Sequence, residues 1–352
     1  MVKKINDQNI NINNIKEAGD KDYNLITFSW NLIDICQYRC SYCSAMNFNL
    51  NTFKKKPHLI KAWKNTIKSL KLMVKTPYAV EILGGEPTLH PDIENIISEA
   101  VKDKYCIQVD LITNLAKPYD FYKKLDVKGN GKLTIEASYH PEYCGDKYIQ
   151  KVIDLNNNLK NISIFPNINL PDDQKHWKQT KDLIDKFKEN NVFINLNFLQ
   201  SVGAGTVGSW DPNYTNDFWE YFHDYITPEK HIESNYGKGV GIKNATSYLK
   251  EHANEITTNI KYIDDKERQY ILTEADINKY KLNRFKGWSC KSLMYTINMD
   301  GTIINSCTNE VVPIIQLNKK NLTKCVTCPL TQCSCDVMFL FSKTNPKYVK
   351  DG

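Results

Sequence analysis

The sequence predicts an α/β protein built on parallel β/α units and completed by a small, cysteine-rich, metal-stapled domain. Three observations lead there. Apolar runs of strand length alternate about six times with polar, Lys-rich stretches of helical spacing. The chain has 11 cysteines but no apolar N-terminal export segment, so the cysteines read as metal or cluster ligands rather than disulfides. Six of them crowd between residues 290 and 335, too densely for a conventional hydrophobic core.

Taken in order, residues 1–22 are polar, rich in Asn and free of periodicity, and read as an extension that packs late or stays mobile. Strands are expected at 25–33, 79–83, 107–112, 133–137, 162–165 and 192–198, each a compact apolar run. Helices are expected between them at 58–74, 92–103, 119–125, 148–159 and 173–189. This alternating region is set at 23–205 and ends in the Gly-rich stretch 201–209. The segment 206–285 is aromatic and charged, with helical stretches expected around 218–226 and 244–256, and reads as a bridge or the wall of a substrate cleft. The small domain is placed at 286–345.

No apolar run approaches the roughly 18 residues of a membrane-spanning helix, so a soluble, cytoplasmic protein with no membrane partner is expected. The net charge of +6 is carried almost wholly by Lys, with Arg only at Arg39, Arg268 and Arg284. Bidentate base and phosphate contacts favour Arg, so the composition argues against nucleic-acid recognition.

Two cysteine groups carry the chemistry. The first reads Cys36-Gln-Tyr-Arg-Cys40-Ser-Tyr-Cys43. Three thiolates on one loop reach three corners of a cubane and leave its fourth iron open to a non-protein ligand. Zinc is the alternative, since a CxxC pair is often half of a structural site. In the second group, Asp300-Gly301 separates two short apolar runs, 295–297 and 302–304, which is a hairpin signal. Such a hairpin brings Cys290 and Cys307 toward one end of a ribbon, where Cys325 and Cys328 can complete a four-thiolate site. A four-cysteine zinc site is the rival there.

The three cysteines follow the first strand, and Gly84-Gly85-Glu86-Pro87 follows the second. This combination resembles the radical S-adenosylmethionine (SAM) superfamily over residues 24–200. The resemblance implies a partial (β/α)6 TIM-like barrel. It also implies a [4Fe-4S] cluster on Cys36, Cys40 and Cys43, with SAM chelated at the open iron and cleaved to a 5'-deoxyadenosyl radical. Tyr42 then takes the position that packs on the adenine, and Gly84, Gly85, Glu86 and Pro87 meet the methionine amino group. Thr113 and Asn114 lie near the cofactor, and Ser138 sits where ribose-contacting side chains are found. Asn167, Asn195 and Asn197 also lie near strand ends, with no choice among them.

The tail resembles the auxiliary-cluster domain of the SPASM and twitch subgroup. That implies an auxiliary 4Fe-4S cluster on Cys290, Cys307, Cys325 and Cys328. Cys333 and Cys335 are then spare thiols or ligands of a second, incompletely ligated cluster. The implied activity is oxidation or cross-linking of a peptide or small-molecule substrate, with a sugar or aminocyclitol dehydrogenase or epimerase as the alternative. Its reducing electron donor would be of the flavodoxin or ferredoxin kind. The extra N-terminal leader-binding domain of many peptide-modifying members is not expected ahead of Cys36.

On the substrate side, the loop after the fourth strand offers His140, Glu142 and Cys144 as base or hydrogen donor. Cys106 reads as structural. Two rival classes are a non-enzymatic zinc or iron-sulfur stapled binding protein and an RNA-binding protein using the Lys excess with Trp210, Trp219 and Tyr221.

Overall fold

The computed structural model describes residues 10–40, 43, 56–170, 174–190, 192, 194–198, 215, 217, 260–272, 276–277, 280–333 and 341–349. Along the chain, strand β1 (Ile15–Ala18) precedes β2 (Ile26–Ile33), α1 (Ala62–Met73), β3 (Tyr78–Gly84) and α2 (Ile93–Val101). These are followed by β4 (Cys106–Thr113), α3 (Tyr119–Lys128), β5 (Leu133–Tyr139), α4 (Asp146–Asn158), β6 (Ile162–Leu170), α5 (Gln174–Glu189) and β7 (Asn195–Phe198). Each of the six expected strands and five expected helices is present within a few residues.

The strands β2 to β7 lie side by side in chain order and are parallel throughout. Parallel neighbours need a crossover, and each helix supplies one. The helices earn their place by an apolar stripe: Trp63, Ile67 and Leu70 in α1, and Ile93, Ile96, Ile97 and Ala100 in α2, are buried at helical spacing. On β3, β4 and β5 the facing positions Val80, Ile82, Val109, Leu111, Leu133, Ile135 and Ala137 are buried in the same core. The alternate positions of β5, Thr134, Glu136 and Ser138, are half-buried and polar. Among the described residues the sheet stays open, as a partial barrel does, with β7 at one edge.

The other edge is built by the C-terminal part of the chain. Strands β8 (Ile260–Asp264), β9 (Gln269–Leu272) and β10 (Ser289–Lys291) precede the hairpin β11 (Met294–Ile297) and β12 (Ile303–Asn305). The turn is the expected one at Asp300-Gly301, with Gly301 at φ 85°. Strand β11 pairs in parallel with β2, so the hairpin extends the barrel sheet to eight strands among the described residues.

A second, antiparallel sheet has the order β13-β10-β14-β1-β8-β9, where β13 is Cys325–Thr327 and β14 is Lys343–Thr344. Its interior strand β1 comes from the segment read as an extension. Glu17 pairs with Thr344 on one side and Ile263 on the other. The bridging segment likewise supplies the β8–β9 hairpin, while the helical stretches expected at 218–226 and 244–256 lie outside the described residues.

Candidate functional site

The C-terminal ends of β2, β3 and β4 converge on the first cysteine loop. Gly84 is in register with Ile33, at φ 142°, and a Cβ there would lie 2.1 Å from the Ile33 carbonyl oxygen. At Gly85 a Cβ would lie 2.3 Å from the Ile35 carbonyl oxygen. Only glycines admit this approach. It is fixed by two hydrogen bonds: the Gly85 N–H donates to the Ile33 oxygen and the Glu86 N–H to the Ile35 oxygen, both at 2.7 Å. The glycine pair therefore docks onto the backbone that delivers Cys36.

Glu86 is 1% exposed and spends its carboxylate inside the protein. Oε1 accepts from the Thr88 N–H (3.0 Å) and the Thr113 hydroxyl (2.7 Å), and Oε2 accepts from the Asn114 N–H (2.8 Å). Pro87, also buried, opens the short turn that Glu86 caps. What the motif presents outward is backbone rather than the carboxylate. Asn114 continues the chain of contacts. Its Oδ1 accepts from Gln37 Nε2 (3.0 Å), and its Nδ2 points to Cys36 Sγ at 3.9 Å.

Cys36 Sγ also accepts the Tyr38 N–H at 3.3 Å, and Cys43 N–H donates to the Cys40 carbonyl at 3.1 Å. From the far side, the loop after β5 clamps the cysteines. Tyr143 stacks on Tyr38 and accepts the Arg39 N–H on its hydroxyl (2.9 Å). His140 Nδ1 lies 3.4 Å from Cys40 Sγ. The Cys144 thiol accepts the His140 N–H (3.4 Å) while the Cys144 N–H donates to the His140 carbonyl (2.7 Å). Burial pushes His140 down to about 4 and Cys144 up to about 11, and burial likewise raises Cys36. At neutral pH the loop therefore presents a neutral imidazole and a protonated thiol. Tyr42 lies outside the described residues.

Ser138, Asn167 and Asn195 form one row across β5, β6 and β7. Asn167 Nδ2 donates to Glu136 Oε2 at 3.2 Å. Deeper in the sheet, Glu81, Asp110, Thr134 and Ser163 form a second polar row. Asp110 is buried and its carboxyl is pushed up to about 6 by that burial. Sequence reasoning missed Glu81, Asp110 and Glu136. The available signal was a polar residue at every second position of a strand, as in Thr134, Glu136 and Ser138.

Of the second cysteine group, Cys290 and Cys325 lie on strands of the antiparallel sheet, and Cys307 follows β12. Cys290 on β10 sits between Val326 and Lys343 of its neighbours. The Ser292 hydroxyl donates to Cys307 Sγ at 3.3 Å. Cys328 is pinned by its N–H to the Trp288 carbonyl, and Cys333 by reciprocal bonds with Asn283, all at 2.8 Å. Cys290, Cys307, Cys328 and Cys333 are buried, whereas Cys325 is exposed on the edge strand. Burial pushes Cys290 and Cys333 up to about 12, against the opposing pull of Lys343. Cys335 lies outside the described residues. Cys106 is buried away from both groups and bonds the Gln108 carbonyl, as a structural thiol does.

Both groups suit an iron-sulfur cluster by their donor chemistry. Each offers several thiols on short loops, with N–H or O–H groups directed at sulfur. Among the described residues, no three His, Cys, Asp or Glu side chains are set as ligands of one metal ion, so the thiols share a neighbourhood rather than a point. No helix among these residues is long and apolar enough to cross a membrane.

No protein-family model matches the chain. Among curated proteins, GTP 3',8-cyclase of Aquifex aeolicus (strain VF5) is 26% identical over 194 residues, 51% of this chain and 58% of that protein. The chain thus matches less than two thirds of that relative's length. Among solved structures, native anSMEcpe with bound AdoMet and Cp18Cys peptide aligns with a TM-score of 0.50 at 14% identity, covering 85% of this chain and 80% of that one. Native anSMEcpe with bound AdoMet alone gives the same values. These likenesses establish the fold.

Proposed function

We propose that this chain, a radical SAM superfamily protein, reductively cleaves SAM and abstracts hydrogen from a peptide or small-metabolite substrate, oxidising or cross-linking it with the help of an auxiliary cluster. The observation that carries this reading is the meeting of the Cys36–Cys40–Cys43 loop with Gly84-Gly85 and, through Glu86, with Thr113 and Asn114. When bound, a reduced [4Fe-4S] cluster and SAM supply methionine and a 5'-deoxyadenosyl radical, which takes one substrate hydrogen atom to become 5'-deoxyadenosine.

The protein's own residues hold and orient. Cys36, Cys40 and Cys43 are the cluster ligands. The outward backbone of Gly84 to Pro87 and the strand-end groups Asn114 and Ser138 bind the polar parts of SAM, with Tyr42 on the adenine. His140 and Cys144 are read as positioning residues: the imidazole is committed to Cys40 and the thiol to the His140 backbone, which leaves neither poised as base or hydrogen donor. Cys290, Cys307, Cys328 and either Cys333 or Cys325 would hold an auxiliary cluster, which would supply an acceptor for the electron left on the substrate radical. The electron donor would be a flavodoxin- or ferredoxin-like protein.

A second reading, a polyol or aminocyclitol substrate, is supported by the row Ser138, Asn167 and Asn195 with Glu136 beneath it. Those groups suit hydroxyls and amines.

The test is anaerobic reconstitution, iron and sulfide counting, and an assay for 5'-deoxyadenosine with SAM and dithionite. About eight irons per chain and SAM cleavage, lost in a Cys36, Cys40, Cys43 triple Ala variant, are expected. Bound zinc with no iron and no SAM cleavage would overturn the proposal.

A further inference from the structure

Lys343 is the least expected residue in the second sheet. It lies on the two-residue strand β14, is 1% exposed, and is the cross-strand partner of Cys290. Its Nζ donates to the Phe341 carbonyl at 2.8 Å and sits 5.0 Å from the centre of the Phe285 ring and 5.8 Å from that of Phe341. Its cross-strand partner Cys290 is one of four buried thiols of the C-terminal group, with Cys307, Cys328 and Cys333.

We propose that Lys343 is the fixed positive charge that sets the reduction potential of an auxiliary iron-sulfur cluster held by these thiols. The proposal rests on the auxiliary-cluster reading above and extends it to a residue outside the ligand set. The thiols lose their protons on ligating iron, so the loaded site is anionic and becomes more so when one electron from the substrate radical arrives. A lysine's positive charge beside Cys290 favours the reduced form by charge attraction, in surroundings where water screens little.

The test is an EPR-monitored redox titration of the reconstituted full chain, following the signal that does not change when SAM is added. Lys343→Met keeps the length of the side chain and removes the charge, while Lys343→Arg keeps the charge. Lys343→Met is expected to retain its iron and lower the reduced-to-oxidised ratio at fixed potential at least tenfold, a fall of about 59 mV for a one-electron couple. Lys343→Arg is expected to hold the wild-type midpoint. An unchanged midpoint in iron-loaded Lys343→Met would overturn the proposal.

Should Lys343→Met fail to load iron, Lys343→Arg decides: wild-type loading and midpoint support the charge role, and loss of iron from both variants assigns Lys343 to packing and overturns it. A wild-type protein with a SAM-responsive signal alone would overturn the auxiliary-cluster reading itself, and this proposal with it.

Discussion

The ring of Tyr143 lies flat on that of Tyr38, with centroids 4.3 Å apart and planes 6° from parallel. One ring belongs to the cysteine loop and the other to the loop after β5, so the stack bolts the cysteine-bearing segment to a rigid strand end. Tyr143→Phe keeps the stack and loses the hydroxyl that accepts the Arg39 N–H, whereas Tyr143→Ala loses both. Aromatic pairs are worth about 0.5–1.5 kcal/mol beyond their burial. Iron retention after gel filtration is expected to be near wild type in Tyr143→Phe and to fall by roughly half in Tyr143→Ala, the share of one cubane in two.

Gly85→Ala tests the approach of the glycine pair to the cysteine loop. The added methyl would stand 2.3 Å from the Ile35 carbonyl oxygen and 3.0 Å from the Cys36 nitrogen, both backbone atoms. The loop has to move, and Cys36 with it. SAM-dependent 5'-deoxyadenosine formation should drop by about two orders of magnitude, the kind of loss that a misplacement of about 1 Å produces. Near-wild-type turnover in this variant would contradict the role given to the motif.

Glu86→Gln separates a structural carboxylate from a ligand-binding one. One amide oxygen would face N–H and O–H donors that two carboxylate oxygens satisfy now, and the amide NH2 would face a donor. A destabilisation of about 2–3 kcal/mol is expected, the scale of hydrogen bonds to a charged group. Thermal unfolding of the protein without clusters reads it out, and a Tm within a degree of wild type would refute it.

Asp110 gives stability a pH dependence of unusual sign. Its folded carboxyl sits at about 6, above the ordinary 3.8, because burial disfavours the charge. The folded state therefore binds more protons than the unfolded state between these values. Stability from this group is fully present below 3.8 and is lost as pH rises through 6, about 3 kcal/mol in all. Denaturant titrations at pH 4 and pH 7 should show Asp110→Asn more stable than wild type at pH 7, with the gap closing toward pH 4.

The barrel was legible because parallel strands covered by helices are short apolar runs, and runs such as 79–83 and 107–112 stand out against the Lys-rich helices between them. The cysteine loop and Gly84-Gly85 were legible because each needs particular residue types. Strands β1 and β14 were not. Four residues and two residues are too short for a period, and their pairing is decided by partners distant in sequence, such as Glu17 with Thr344. Lys343 escaped for the related reason that a lysine reads as surface until its neighbours are known. The burial of Cys333 and the exposure of Cys325 on its edge strand were hidden in the same way, since CxxC spacing carries no burial.

The second sheet also fixes an order of events. Strand β1 is made long before the chain that holds it: Asn345 bonds the Ile15 carbonyl across 330 residues of sequence. The same late strand carries Lys343 to Cys290. Completion of this sheet thus waits on residues 343–345, and a chain stalled before residue 343 has its barrel strands but neither the clasp on strand β1 nor the cation beside Cys290.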